Sequence, residues 1–378
     1  FATALASDAN ITQDYLRAMT GEIDDTGNDT KSVLRGKLLY QWLLKAGGPH
    51  AAVARWLSEG APAGITTNMD ELDGMWPLKD RPAERDPADL LRMPDEFVNY
   101  HGIDEDDELG NDLVEYDRKG FIRIFASWAE VVKHLGCEPV LSRLGRVTKK
   151  KFNTDTQEYT AKARTILDSK ESGVTRATKL RHRSVLPRGT DGVRSGLEQA
   201  ASLAEHEDVE ALVMDYCDAY WQVPSKKSER KLSVARWRGK YILVCRIVQG
   251  SRGGPVGYAS VAACAARCVQ SLFTRQGRTH RSLFEVLIQL YVDDPLAVIR
   301  GTVQRRHRLK AMLVLGWRII GWPLAYHKAD VGQTVIWIGH SFTFNASEVI
   351  VEVPASKIDE LKMLSQQILK HNQVSHTD

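Results

Sequence analysis

No run of 18 or more apolar residues occurs in the 378-residue chain, so no membrane-spanning helix and no membrane partner are expected. No positively charged segment followed by an apolar run opens it. Its first residue is Phe1 rather than Met, and a cut from a longer chain is expected. Cysteine is scarce. The five, Cys137, Cys217, Cys245, Cys264 and Cys268, form no CxxC pair and no zinc spacing. An odd number at irregular spacing fits a reduced interior, and so an intracellular site in cytoplasm or nucleus rather than secretion. No internal repeat or low-complexity run is evident, and DEDDE (104–108) reads as a solvated acidic loop rather than a metal site. Positive charge is short at the start: residues 1–130 hold 13 Lys+Arg against 25 Asp+Glu.

What is present lies further on. Residues 131–378 hold 38 Lys+Arg against 23 Asp+Glu, and 141–190 alone hold 13 against 4. A basic surface of this size points to a polyanionic partner. Hydrophobic content of 43% with 26% charged residues is that of a globular chain with room for two or three compact units.

Periodicity places the elements. SVLRGKLLYQWLLKAGG (32–48) has helical spacing and ends at a Gly pair, and Gly60 to Pro94 reads as loop. ASWAEVVKHLG starts a helix near a boundary at 120–130. Residues 141–168 read as a cationic β-hairpin around NTDTQ. ALVMDYCDAYWQVP (211–224) is an apolar strand ending in Asp215. RKLSVARWRGKYILVCRIVQG (230–250) holds two strands joined at Arg238-Gly239. QGSRGGP (249–255) is a glycine-rich turn before a helix of small residues. Then come a hairpin around Asp293-Asp294-Pro295, a helix over 302–320, strands at 335–344 and 349–353, and a helix over 357–372. That order predicts an α+β fold, an antiparallel sheet backed by helices on one face.

LIQLYVDDPLAVIRG (287–301) sets two adjacent carboxylates between apolar runs. Taken alone, Asp-Asp-Pro is an ordinary turn. Carboxylates held together repel, however, and are stable with a cation beside them. If the strand ending in Asp215 neighbours this hairpin, three aspartates meet. Such a set can hold two Mg²⁺ ions about 3.5–4 Å apart and transfer nucleotidyl groups.

With these motifs in order, the sequence resembles the reverse transcriptase family of retroviruses and retrotransposons. YVDD (291–294) is similar to its Y-x-D-D signature, and MDYCDAYWQVP (214–224) to its first catalytic motif. VQGSRGGP (248–255) is similar to Q-G-x-x-x-S/G-P, and WPLAYHKADVGQTVIWIGHSF (322–342) to the late lysine loop and primer-grip turn. LSRLGRVTKKK…KARTILDSKESGV is a more diverged match to the fingers hairpin. The resemblance runs from about residue 130 to 360.

It implies a right-hand polymerase palm with fingers and a truncated thumb. The implied division is an acidic region of unknown role at 1–125, fingers and palm at 126–350, and the start of a thumb or a connecting helix at 351–378. Asp215, Asp293 and Asp294 would be the catalytic carboxylates and, with the Tyr216 carbonyl, the ligands of two Mg²⁺ ions or of Mn²⁺ in their place. Arg164, with Lys151 or a neighbouring lysine, would lie along the triphosphate of a dNTP. Tyr220 would exclude a 2′-hydroxyl, Gln249 would touch the nucleotide or template base, and Lys328 would approach the leaving phosphate. Gly250, Trp337 and Gly339 would contact template and primer. The implied partners are dNTPs and an RNA or DNA template with its primer. The alternatives are a catalytically inactive nucleic-acid-binding remnant and a palm that copies RNA into RNA. The oligomeric state is not legible.

Overall fold

The computed structural model describes residues 33–80, 90, 97–153, 158–247, 250–273 and 284–371, with the side chains of 149–160, 162, 367, 370 and 371 outside that description. In chain order, α1 (Gly36–Lys45) is followed by α2 (Asp107–Arg118), β1 (Ile122–Phe125) and α3 (Trp128–Leu135). β2 (Arg143–Asn153) and β3 (Glu158–Asp168) precede α4 (Gly189–Ala200) and β4 (Asp208–Val213). Next are β5 (Val234–Trp237), β6 (Lys240–Val244), α5 (Gly254–Ser271), β7 (Val286–Tyr291) and β8 (Asp294–Gly301). After them come α6 (Val303–Ile320), β9 (Asp330–Gly332), β10 (Thr334–Trp337), β11 (His340–Phe344), β12 (Val349–Glu352) and α7 (Ala355–His371). None of the described helices is long and apolar enough to cross a membrane.

The fold is mixed helix and sheet, and the paired strands run antiparallel. Its centre is a sheet in the order β7-β8-β4-β9. Alternate residues of β4 and β8 go to opposite faces. Leu212, Met214, Ala297 and Ile299 join the core built with Val261 of α5 and Leu313 and Trp317 of α6. Val209, Ala211, Val213, Leu296 and Val298 pack instead with Trp337, Phe342 and Phe344 from β10 and β11. Both faces are therefore covered, one by helices α5 and α6 and the other by the β10–β11 layer. It also explains the continuous apolar runs ALVM and LAVI, since a strand buried on both sides loses the polar alternation. Helix α5 is apolar nearly all round and correspondingly sunk, with Val261, Ala262, Cys264, Ala265 and Cys268 at 0% exposure.

Helix α4 was not expected from its sequence, GTDGVRSGLEQA, where glycine disfavours helix. Packing decides it. A Cβ on Gly196 would lie 2.6 Å from Val349 and 2.7 Å from Phe344, so only glycine lets the helix lie against the β10–β12 layer. The Asp191 carboxylate accepts the Arg188 N–H at 2.7 Å and secures the first turn. The acidic run DEDDE is also corrected: Asp106 caps α2 by accepting the Leu109 N–H at 2.9 Å, and its last two residues are already helical.

The acidity break near 125 falls at the end of β1, which pairs with β6. Further back, Leu39 and Leu43 of α1, with Trp56 and Leu57, share one core with Met214, Trp317 and Trp322. The Arg35 N–H donates to the Ile320 carbonyl at 2.9 Å. At the other end, α7 leaves Leu361 and Leu369 66% and 78% exposed.

Candidate active site

The carboxylates meet because β4 and β8 are neighbours. Past the last paired residues, Val213 and Leu296, the Met214 N–H donates to the Pro295 carbonyl at 3.1 Å and the Tyr216 N–H to the Asp293 carbonyl at 3.2 Å. Asp215 therefore lies beside the tip of the β7–β8 hairpin. On its other side the Asp215 carbonyl accepts from the Ala325 N–H at 2.8 Å.

The hairpin turns one residue earlier than Asp-Asp-Pro suggests. Tyr291 pairs with Asp294 and Leu290 with Pro295, leaving Val292 and Asp293 as a two-residue loop. Val292 has φ +53°, a left-handed conformation that costs a β-branched residue on the order of 1–3 kcal/mol. Glycine or asparagine would relieve that strain. Val292 instead packs against the helical core, and its strained turn lifts Asp293 to the tip.

The electrostatics are those of negative charge held together. Burial pushes the Asp293 carboxyl up, Asp215 adds to the rise, and Arg164 and Lys328 oppose it. Asp294 rises further, to about 6, through burial and then the charges of Asp293 and Asp215. The Lys328 ammonium is bonded to the Asp215 carboxylate, and that bond raises its pKa.

Arg164 is exposed on β3, opposite Val147, close enough for its charge to reach Asp293. Tyr220 is half-buried on a short helical turn and stacks on Tyr258 of α5, ring centroids 4.6 Å apart at 17°. Gly250 has φ +100°, and a Cβ there would lie 3.1 Å from the Leu167 carbonyl at the base of β3, a close approach that suits glycine. Gln249 and the Lys151 side chain lie outside the described residues.

Trp337 is 1% exposed, and its indole N–H donates to the Asp294 carbonyl at 3.0 Å. Its side chain fixes the carboxylate hairpin from beneath. Gly339 (φ +80°) has open space around it and is exposed with His340 on the β10–β11 turn.

Two further residues come into view only in three dimensions. Lys119, just past α2, pairs with Asp218 at 2.7 Å and so ties that helix to the turn after Asp215. Tyr258 is fully buried under Tyr220. Neither stands at a spacing from the aspartates that the sequence could reveal.

No family model matches this chain, and no curated protein matches it. Solved structures of a foamy viral protease-reverse transcriptase are similar in backbone course. One, in complex with double-stranded DNA, has 14% identity and a TM-score of 0.47 over 86% of this chain and 48% of that one. A second, with an RNA/DNA hybrid, has 14% identity and 0.45 over 86% and 37%. A third, with double-stranded DNA, has 15% identity and 0.46 over 82% and 54%. The chain thus spans about half the length of these proteins or less, and likeness of this depth concerns coarse arrangement and assigns no residue a role.

Proposed function

We propose that this chain is the RNA-directed DNA polymerase domain of a retrotransposon-like element, adding nucleotides from dNTPs to a primer 3′ end. One observation carries the reading. The β4–β8 pairing sets Asp215 beside Asp293 and Asp294, and Lys328 and Arg164 bring positive charge to the same point. Carboxylates raised by burial and then by one another's charge are poised to take a cation, and aspartate oxygens with the Tyr216 carbonyl suit Mg²⁺ or Mn²⁺. Among the described residues no three His, Cys, Asp or Glu side chains converge as a ready cage. Lys328 occupies a cation's place on Asp215 and would be released when metal binds. Once bound, two such ions activate a hydroxyl and neutralise phosphate charge.

The chain's own residues then orient the reactants. Arg164 lies along the triphosphate, and Lys328 approaches the leaving phosphate. Tyr220, braced by Tyr258, meets the sugar edge and turns away a 2′-hydroxyl. Gly250 contacts the template, and the Gly339 turn, fixed by Trp337, approaches the primer.

The test is extension of oligo(dT) on poly(rA) with dTTP and Mg²⁺, repeated with a chelator. Extension that the chelator stops is expected. Duplex binding without extension would favour the inactive remnant, a reading that the Lys328–Asp215 contact also fits.

The gate has its own outcome. Tyr220→Ala raises ribonucleotide use relative to deoxynucleotide use by at least about tenfold, measured as the ratio of kcat/KM, while Tyr220→Phe leaves it near the parent. An unchanged ratio in Tyr220→Ala would remove the residue from sugar selection.

A further inference from the structure

Residues 107–121 belong to the acidic N-terminal region, to which the sequence assigns no role, yet they grip the turn that follows Asp215. Asp218 has φ +50° and stands at the N-cap of the short helical turn Ala219–Gln222. An aspartate there ordinarily accepts a backbone N–H of the turn it caps. Asp218 makes no such bond. Its carboxylate goes instead to the Lys119 ammonium, 2.7 Å away and 99 residues distant in sequence. A local cap is given up for a long-range partner.

The other end of the turn is held from the same place. The Trp221 ring lies against Tyr116 of α2, centroids 4.7 Å apart, and stacks on Phe121 at 5.5 Å and 10°. Tyr220 therefore stands between two anchors, an ion pair before it and an aromatic stack after it. The same helix holds the β2–β3 hairpin. Arg146 of β2 pairs with Asp106 at 2.9 Å and with Glu108 at 2.6 Å, and the Thr165 hydroxyl of β3 donates to Asp112 at 3.0 Å. Thr165 is next to Arg164. One helix thus sets the Arg164 strand and the Tyr220 turn in place relative to each other.

Bulk stability does not account for the ion pair. The Lys119 and Asp218 side chains are 32% and 35% exposed, and a pair that wet contributes little to folding. The ammonium also has Glu115 at 3.5 Å. Matched by two carboxylates, it serves as a tie rather than as a phosphate contact. What the tie holds is a left-handed residue with other backbone conformations open to it, two positions before Tyr220. We propose that Lys119 is a positioning residue for the incoming nucleotide. Through Asp218 it fixes the place of Tyr220, and with it the choice between deoxyribose and ribose. The acidic N-terminal region is thereby part of the frame of the nucleotide site.

This rests on the polymerase reading. Single-nucleotide addition to oligo(dT) on poly(rA) is measured with dTTP and with ribothymidine triphosphate, which differ only in the 2′-hydroxyl. Lys119→Met, Asp218→Asn and the double variant are compared with the parent and with Lys119→Arg. Arg118→Met is the control, removing a charge whose partner, Glu115, lies within α2. Lys119→Met and Asp218→Asn are each expected to raise KM for dTTP and to lower the deoxy-over-ribo ratio of kcat/KM, both by about fivefold or more, with kcat held within about twofold. The double variant matches the singles, because both cut one contact. Lys119→Arg and Arg118→Met stay near the parent. Melting temperatures are expected within about 4 °C of the parent; should Lys119→Met fold poorly, Lys119→Gln takes its place. A parent that extends while the variants keep its KM and its sugar ratio overturns the proposal and leaves the polymerase reading standing. A fall in kcat without a rise in KM, or single effects that multiply in the double variant, overturns it equally. A parent that adds neither nucleotide overturns the polymerase reading and this role with it.

Discussion

Asp294→Asn is expected to end primer extension and, in chelator at neutral pH, to make the protein harder to unfold. Both follow from one cause. Folding brings Asp294 out of water and beside Asp293 and Asp215, raising its carboxyl from 3.8 to about 6. Between those values the folded chain holds a proton that the unfolded chain has lost. Stability therefore falls as pH rises through that window, and above pH 6 the folded state bears the full cost of the charge. A rise of that size would be worth roughly 3 kcal/mol if fully felt. Water reaches the half-buried group and screens it, so about 1–2 kcal/mol is expected.

Asparagine keeps the shape and removes the charge. Its gain in urea midpoint should be present at pH 7.5 and vanish toward pH 3, below both values, where the parent is protonated in both states. Asp293→Asn, whose carboxyl is raised in the same direction, should behave alike. Extension in Mg²⁺ should drop by about a thousandfold or more in both, since several kcal/mol of charge stabilisation go with a ligand. An Asp294→Asn protein that still extends primers, or that unfolds more easily than the parent at pH 7.5, would remove the carboxylates from the proposed role.

Much of this site was legible because it rests on local signals. An apolar strand ending in Asp215 and a hairpin carrying Asp293 and Asp294 were visible as strand patterns, and the one missing fact was that β4 and β8 are neighbours. The turn was misplaced by one residue because Val292 adopts a conformation its side chain resists, held by packing that the sequence does not display. Helix α4 was hidden for a related reason. Its glycines argue against a helix locally, and only the approach of Phe344 and Val349 makes them favourable. The burial of Trp337 is not legible either, because an indole in that motif can fill a core or stand at a surface; the Asp294 carbonyl that accepts its N–H comes beside it only in the fold. The strap of residues 60–80 has the sequence of a loop because Gly60 to Pro94 lacks periodicity; its order comes from a carboxylate more than 160 residues away in sequence.

That carboxylate, Glu229, carries the second large effect. It is 2% exposed and accepts from the Ala63, Thr66 and Thr67 amides at 2.5, 2.6 and 3.0 Å, from Ile65 at 3.2 Å and from the Thr66 hydroxyl at 3.0 Å. Hydrogen bonds to a charged acceptor contribute about 1.5–3 kcal/mol each, and amides stranded by its removal keep their desolvation cost. Glu229→Gln keeps the volume but turns an N–H₂ toward donors. A loss of about 3–5 kcal/mol is expected, of the size seen when a buried charge network is broken, measured by urea unfolding. Amide exchange should accelerate first at 63–67, because the strap loses its anchor while the Leu39–Trp317 core is untouched. A variant that unfolds within about 1 kcal/mol of the parent, with exchange at 63–67 unchanged, would show that the strap is held by its apolar contacts and not by Glu229.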